Sequence, residues 1–136
     1  MSIKKLEFYN DERASRFFDL YDELPGQVTA SAIEPNQFSG WHMHELQYDK
    51  FTVVLGKVKV GVIDQNGTIN EYILDSKEPS TLHILPTQIH CYKNLDEKSL
   101  LIYYLSQKHN EADEFRFTED EIFERFNLSL IHISEP

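Results

Sequence analysis

Cysteine is nearly absent from this chain of 136 residues: Cys91 stands alone. No intrachain disulfide can form, and nothing in the sequence calls for an oxidising compartment. Long apolar runs are missing too. No stretch approaches the roughly 20 residues of a membrane span, and the N-terminus has Lys4 and Lys5 but no apolar segment of the signal-peptide kind. The expectation is a cytoplasmic, unanchored protein with no membrane partner. Positive charge is scarce, with 13 Lys and Arg against 23 Asp and Glu, for a net charge of −10. That balance argues against nucleic acid and anionic membranes as partners. It also weighs against phosphate-bearing substrates, unless a local cluster of cations overrides the global sign. Finally, no helix-length pattern occurs between residue 27 and Glu119–Phe126, which excludes a parallel α/β fold. There is no internal repeat and no low-complexity linker.

What the chain does contain is short β-rich segments. VTASAI, FTVVLGKVKVGVI, INEYIL, TLHILP and LLIYYLS are dense in β-branched and aromatic residues. Turn signals separate them at Glu34–Asn36, Ser39–Gly40, Asp64–Gly67 and Lys77–Pro79. Strands at this spacing predict an all-β sandwich or barrel. Residues 11–24 place Ala14, Phe17, Phe18 and Tyr21 at helical spacing, with Asn10 or Asp11 as cap and Pro25-Gly26 as stop. The segment reads as a short helical arm, with an extended arm as the alternative. A short C-terminal helix is expected at Glu119–Phe126. The tail 128–136 (LSLIHISEP) has two readings: an alternating strand, or non-native sequence of sequencing-adapter origin. The domain boundary is therefore drawn at 1–127.

The chemistry lies in the histidines. Strand side chains alternate between faces, so in WHMH His42 and His44 share one face while Trp41 and Met43 share the other. His90, in ILPTQIH, is placed to join them from a distant strand. Convergent imidazoles either bind a metal through neutral nitrogens or act as acid, base and electrophile on an organic substrate. His83 reads as structural and His109 as a loop residue. Lys57 and Lys59 alternate with valines and read as a solvated strand face.

Residues Gly40–Asn94 resemble the two sequence motifs of the cupin superfamily. His42, His44, Asp49 and Gly56 fit the first, with Asp where Glu is usual. His90 and Asn94 fit the end of the second, with Leu85 and Thr87 in place of its proline and glycine. The resemblance implies a cupin jelly-roll β-barrel. More narrowly, GWHMHELQYDKFTVVLGKVKVGVID, INEYILDSKEP, ILPTQIHCYKNL and HNEADEFRF resemble short members of the dTDP-4-dehydrorhamnose 3,5-epimerase-related family.

That family resemblance implies proton abstraction next to the ketone of a 4-keto-6-deoxy nucleotide sugar, in surface polysaccharide synthesis of the rhamnose type. It implies no cofactor and a homodimer. His42 falls on the catalytic base, His90 on the second active-site histidine, Lys50 near the enolate-stabilising lysine, and Tyr103 on the catalytic tyrosine. His44, Trp41 and Asn94 are expected to contact substrate. The arginine that helps hold the diphosphate in long epimerases is replaced by Ser39. The rival expectation is a mononuclear cupin enzyme (oxygenase, isomerase or decarboxylase) holding Fe, Mn, Ni or Zn on His42, His44, Asp49 and His90. A third is a sugar-binding cupin without turnover.

Overall fold

The computed structural model describes Lys5 and residues 7–21 and 24–126. Eleven strands and one α-helix follow in order: β1 (Glu7–Asn10), β2 (Ala14–Phe18), β3 (Gln27–Ile33), β4 (Phe38–Met43), β5 (Asp49–Leu55), β6 (Lys57–Ile63), β7 (Ile69–Asp75), β8 (Thr81–Ile84), β9 (Ile89–Asn94), β10 (Ser99–Leu105), β11 (Phe115–Phe117) and α1 (Glu119–Phe126). A 3₁₀ turn, Glu111–Asp113, precedes β11. All pairings are antiparallel. One sheet has the order β1-β2-β3-β10-β5-β8 and the other β11-β4-β9-β6-β7. This is the cupin jelly-roll expected from the sequence.

Alternation drives the assembly. In β6, Val58, Val60 and Val62 point inward, and in β5 Asp49, Phe51 and Val53 do the same. With Ile33, Leu74, Ile84 and Leu101 they form the core between the sheets. At about 25 cal/mol per Å² of apolar surface, such residues supply most of the stabilisation. A second cluster lies on the other face of the five-stranded sheet, where Trp41, Ile63, Ile89 and Cys91 meet Ile122 of α1. The helix starts on a capping box: Thr118 Oγ1 accepts from Glu121 N–H, and Glu121 Oε1 accepts from Thr118 N–H. Among the described residues no helix is long and apolar enough to cross a membrane. The tail 128–136 lies outside the described residues.

The helical reading of residues 11–24 is corrected, and the extended alternative holds. Residues 14–18 form β2, paired to β1 on one side and β3 on the other. The Asp11 carboxylate does accept backbone N–H bonds, from Arg13 and Ala14, but it caps a turn between strands. Local periodicity favoured a helix; a ladder to a distant strand, which local pattern cannot reveal, overrides it.

Thr87 has φ +71, a backbone region costly for a β-branched residue. Its N–H donates to the His44 carbonyl at 2.6 Å. The second cupin motif carries glycine here, and the backbone angle gives the reason. Threonine accepts the strain while tying the β8–β9 turn to the end of β4.

Candidate active site

The inner faces of β4 and β9 bring the histidines together. His42 and His90 are direct register partners across these strands, and their ring centroids lie 4.2 Å apart. His44 follows two residues after His42, with centroids 5.7 Å from His42 and 6.1 Å from His90. The ligating nitrogens of the three rings all lie within 4.8 Å of one another.

Each ring is oriented by a main-chain carbonyl. His42 Nδ1 meets the Gly40 carbonyl, His44 Nδ1 the Asp113 carbonyl and His90 Nδ1 the Gln88 carbonyl, each at 2.9 Å. A carbonyl oxygen only accepts, so all three protons sit on Nδ1 and all three Nε2 lone pairs are free. His90 Nε2 is buried and has no hydrogen-bond partner among the described residues. Burial, and then the neighbouring histidines, hold its protonated form well below the ordinary range. Burial likewise brings His42 down to about 4.

Asp49 lies beside them. Its Oδ2 is 3.9 Å from His44 Nε2 and 3.8 Å from His90 Nε2, while its Oδ1 accepts from Gln47 Nε2 at 2.6 Å. Burial pushes the Asp49 carboxyl up. On the same sheet as Asp49, and facing the histidine strands, Tyr103 from β10 sets its hydroxyl 3.2 Å from Ser31 Oγ of β3. Burial pushes this phenol up too, so it is a neutral hydrogen-bond donor at neutral pH.

His42, His44, Asp49 and Tyr103 line a cavity of about 800 Å³ between the sheets, large enough for a sizeable organic ligand, while His90 is buried against His42 rather than on the cavity lining. Gln27, Thr29, Phe51 and Tyr92 complete its inner wall, and Arg13, Arg16 and Arg116 also line it. The histidines, Asp49 and Tyr103 are thus brought together as the sequence proposed; three other candidates are not. Lys50 is exposed on the outer face of β5, because its neighbours Asp49 and Phe51 point in. Trp41 alternates with His42 and is buried against α1, on the far face of the sheet from the cavity. Asn94 is fully buried, and its amide donates to the carbonyls of Ile33, Glu34 and Glu97. Its Oδ1 accepts from Asp96 N–H and Ser99 Oγ. It locks a turn rather than a ligand. Asn94→Ala is therefore expected to cost about 3 kcal/mol, because several buried carbonyls lose their donor. Urea denaturation would read that loss, and ligand titration of the folded variant would stay at the wild-type value.

Sequence reading missed three arginines. Arg13 and Arg16 were hidden by the helical reading of their segment; on a strand, Arg16 shares the inward face with Ala14 and Phe18. Arg116 pairs with Glu114 at 3.2 Å and faces the same cavity. All three arginines share one cavity lining with the partly buried Tyr92. Asp11 sits between two of them, 2.8 Å from Arg13 and 3.6 Å from Arg16. Lys57 and Lys59 pair with Asp75 and Glu71 on a strand face away from the cavity, as expected. His83 packs beside Tyr48, and His109 reaches the cavity lining.

The same architecture recurs in solved structures. The capsular polysaccharide assembling protein CapF from Staphylococcus aureus superposes with a TM-score of 0.74 at 23% identity, over 85% of this chain and 32% of CapF. The chain therefore spans about a third of that protein's length. A dTDP sugar isomerase from Desulfovibrio desulfuricans gives a TM-score of 0.68 at 19% identity, covering 97% of this chain and 92% of the other. Oxalate decarboxylase from Lactobacillus farciminis gives 0.69 at 13% identity, over 91% and 39%. At these identities the likeness establishes the fold. No curated protein sequence gives a significant match. A family profile described as polysaccharide biosynthesis C-terminal domain matches residues 9–115. That match takes in strands of both sheets and all three clustered histidines, and the chain belongs to this polysaccharide biosynthesis C-terminal domain family.

Proposed function

We propose that this domain is a sugar-nucleotide isomerase or epimerase of polysaccharide biosynthesis, working by proton transfer next to a sugar ketone at a divalent metal held by His42, His44 and His90. One observation carries the metal: three clustered imidazoles, two of them buried and His42 partly so, keep unprotonated Nε2 atoms, and His90 Nε2 has no partner among the described residues. Lone pairs facing each other in a buried site repel unless a cation lies between them. Three imidazoles are a sufficient protein ligand set for a catalytic divalent ion with open positions. The polysaccharide family, together with the fold shared with a dTDP sugar isomerase and with CapF, supports the substrate class.

When bound, such an ion would polarise the ketone oxygen and offset the charge of the enolate. The rest falls to the chain's own residues. Asp49, whose Oδ2 lies 3.9 Å from His44 Nε2 and 3.8 Å from His90 Nε2, is the carboxylate placed to act as base. It takes the proton from the carbon next to the ketone. Tyr103, neutral on β10 beside the β5 strand that carries Asp49, is the group that hands a proton back. The aromatic rings of Phe51 and Tyr92 limit water at the reacting carbon. Arg13, Arg16 and Arg116 answer the charge problem posed by a net −10: they gather positive charge where a diphosphate would enter.

A second reading keeps the reaction and dispenses with the metal. His42 is neutral above about pH 4, and its free Nε2 can act as the base, with Tyr103 as acid. The deciding experiment incubates the protein with 4-keto-6-deoxy nucleotide sugars in D2O, with and without Fe(II), Mn(II), Ni(II) or Zn(II), and follows solvent deuterium by NMR. Metal-dependent incorporation next to the ketone is the expected result. Incorporation that survives rigorous chelation moves the assignment to His42. No incorporation from any sugar under any condition overturns the isomerase reading.

A further inference from the structure

Asp113 sits 66 to 69 residues from the loop it contacts, and it contacts that loop with both ends. Its main-chain carbonyl accepts the Nδ1 proton of His44 at 2.9 Å. Its carboxylate accepts three consecutive backbone N–H groups: Glu45 at 2.9 Å and Leu46 at 3.1 Å on Oδ1, and Gln47 at 3.1 Å on Oδ2. Gln107 Nε2 adds a fourth donor on Oδ2 at 3.3 Å. The clamped loop begins directly after His44 and delivers Gln47, whose amide holds Asp49 Oδ1. Asp113 is itself fixed by the 3₁₀ turn, where Asn110 Oδ1 accepts from Ala112 N–H and the Asn110 carbonyl accepts from Asp113 N–H.

We propose that Asp113 is the positioning residue of the site: its carboxylate locks the Glu45–Gln47 loop against the 3₁₀ turn, so that its carbonyl fixes the proton of His44 on Nδ1 and Asp49 is held beside the freed Nε2. A backbone carbonyl is available at any residue. What is particular here is that the same residue's carboxylate sets where that carbonyl stands. Alanine would leave three backbone donors of the loop and Gln107 without their acceptor. Asparagine would retain an acceptor for Glu45 and Leu46 but would turn an amide donor toward the Gln47 and Gln107 donors. Both substitutions therefore release the loop, and only glutamate keeps the charge and acceptor count. The effect on metal affinity rests on the metal reading above; the effect on the His44 tautomer does not.

The test uses the full chain and four variants: Asp113→Ala, Asp113→Asn, Asp113→Glu and Val58→Ala. Val58 is fully buried in the core between the sheets and does not line the cavity, so its truncation controls for lost stability. The two readouts are the imidazole nitrogen NMR shifts of His44 in metal-free protein and Co(II) affinity by chelator competition. In wild type and Val58→Ala, His44 is expected wholly as the Nδ1–H tautomer. In Asp113→Ala and Asp113→Asn it becomes a mixture, with Co(II) bound about 10- to 100-fold more weakly and partial rescue in Asp113→Glu. An unchanged His44 tautomer in Asp113→Ala and Asp113→Asn overturns the proposal, as does an equal loss of affinity in Val58→Ala. If wild type binds no Co(II), the metal reading fails, and the tautomer shift alone decides the role of Asp113.

Discussion

His90→Ala is expected to lose bound divalent metal entirely and to lower turnover by at least a thousandfold, whereas Asp49→Asn is expected to keep the metal and lose only turnover. The contrast follows from position. His90 is 1% exposed, stands opposite His42 in the strand ladder and presents a free Nε2 to the cluster. Removing it leaves two imidazoles, too few to hold an exchangeable ion against a chelator. Asp49 lies 3.8 to 3.9 Å from two of the same nitrogens and is assigned to proton transfer, a contribution worth about 10² to 10⁴ in rate. Asparagine preserves its shape and an acceptor for Gln47 while abolishing the base. His90→Gln serves as the volume-conserving companion should alanine unsettle the packing against Phe51. Elemental analysis of purified variants, alongside turnover, reads both outcomes. Metal lost from Asp49→Asn would make Asp49 a ligand and the proton acceptor another group. Full metal retention in His90→Ala would defeat the three-histidine site.

The second large effect concerns pH. In metal-free protein, His42 and His90 are held neutral by burial, His42 at about 4 against an unperturbed 6.5 and His90 further down. A histidine whose folded value is depressed binds its proton more readily when unfolded. Its contribution is complete above pH 6.5 and is lost as pH falls toward the folded value. For His42 that loss is about 3 kcal/mol between pH 6.5 and 4, at 1.36 kcal/mol per pKa unit. Asp49 works the other way, since its raised carboxyl favours folding at the acidic end of the same window. His42→Gln isolates the imidazole term: the difference between wild type and variant should change by about 3 kcal/mol across this window in urea titrations. A difference that stays constant with pH would mean that His42 is hydrated and titrates normally. Metal release should follow the same direction, because only neutral imidazoles bind.

Much of this site was legible in the chain. Alternation in WHMH puts His42 and His44 on one face whatever the fold, and Asp49 and Gly56 follow at motif spacing. His90 after a proline turn, and Tyr103 on a strand, were also identifiable. The same alternation already set Trp41 on the opposite face from the histidines, and it predicts that Lys50 points away from Asp49. Those two assignments leaned on resemblance where strand geometry pointed elsewhere. Asn94 sits where the cupin motif puts it, but for the sake of a turn.

The sequence by itself determined the β architecture, the short final helix and the shared face of the HxH pair, because each follows from a period of two or of 3.6 written locally. Only the tertiary structure decided the rest. It turned residues 14–18 into a strand and so brought Arg13 and Arg16 to the cavity. It paired His42 with His90, 48 positions further along the chain, and it set Asp113 against a segment 66 to 69 residues away. These are contacts between distant segments, whose energy depends on register and packing that appear only once both sheets have formed. No local pattern encodes them, which is why the histidines of the site could be read in advance and the groups that orient them could not.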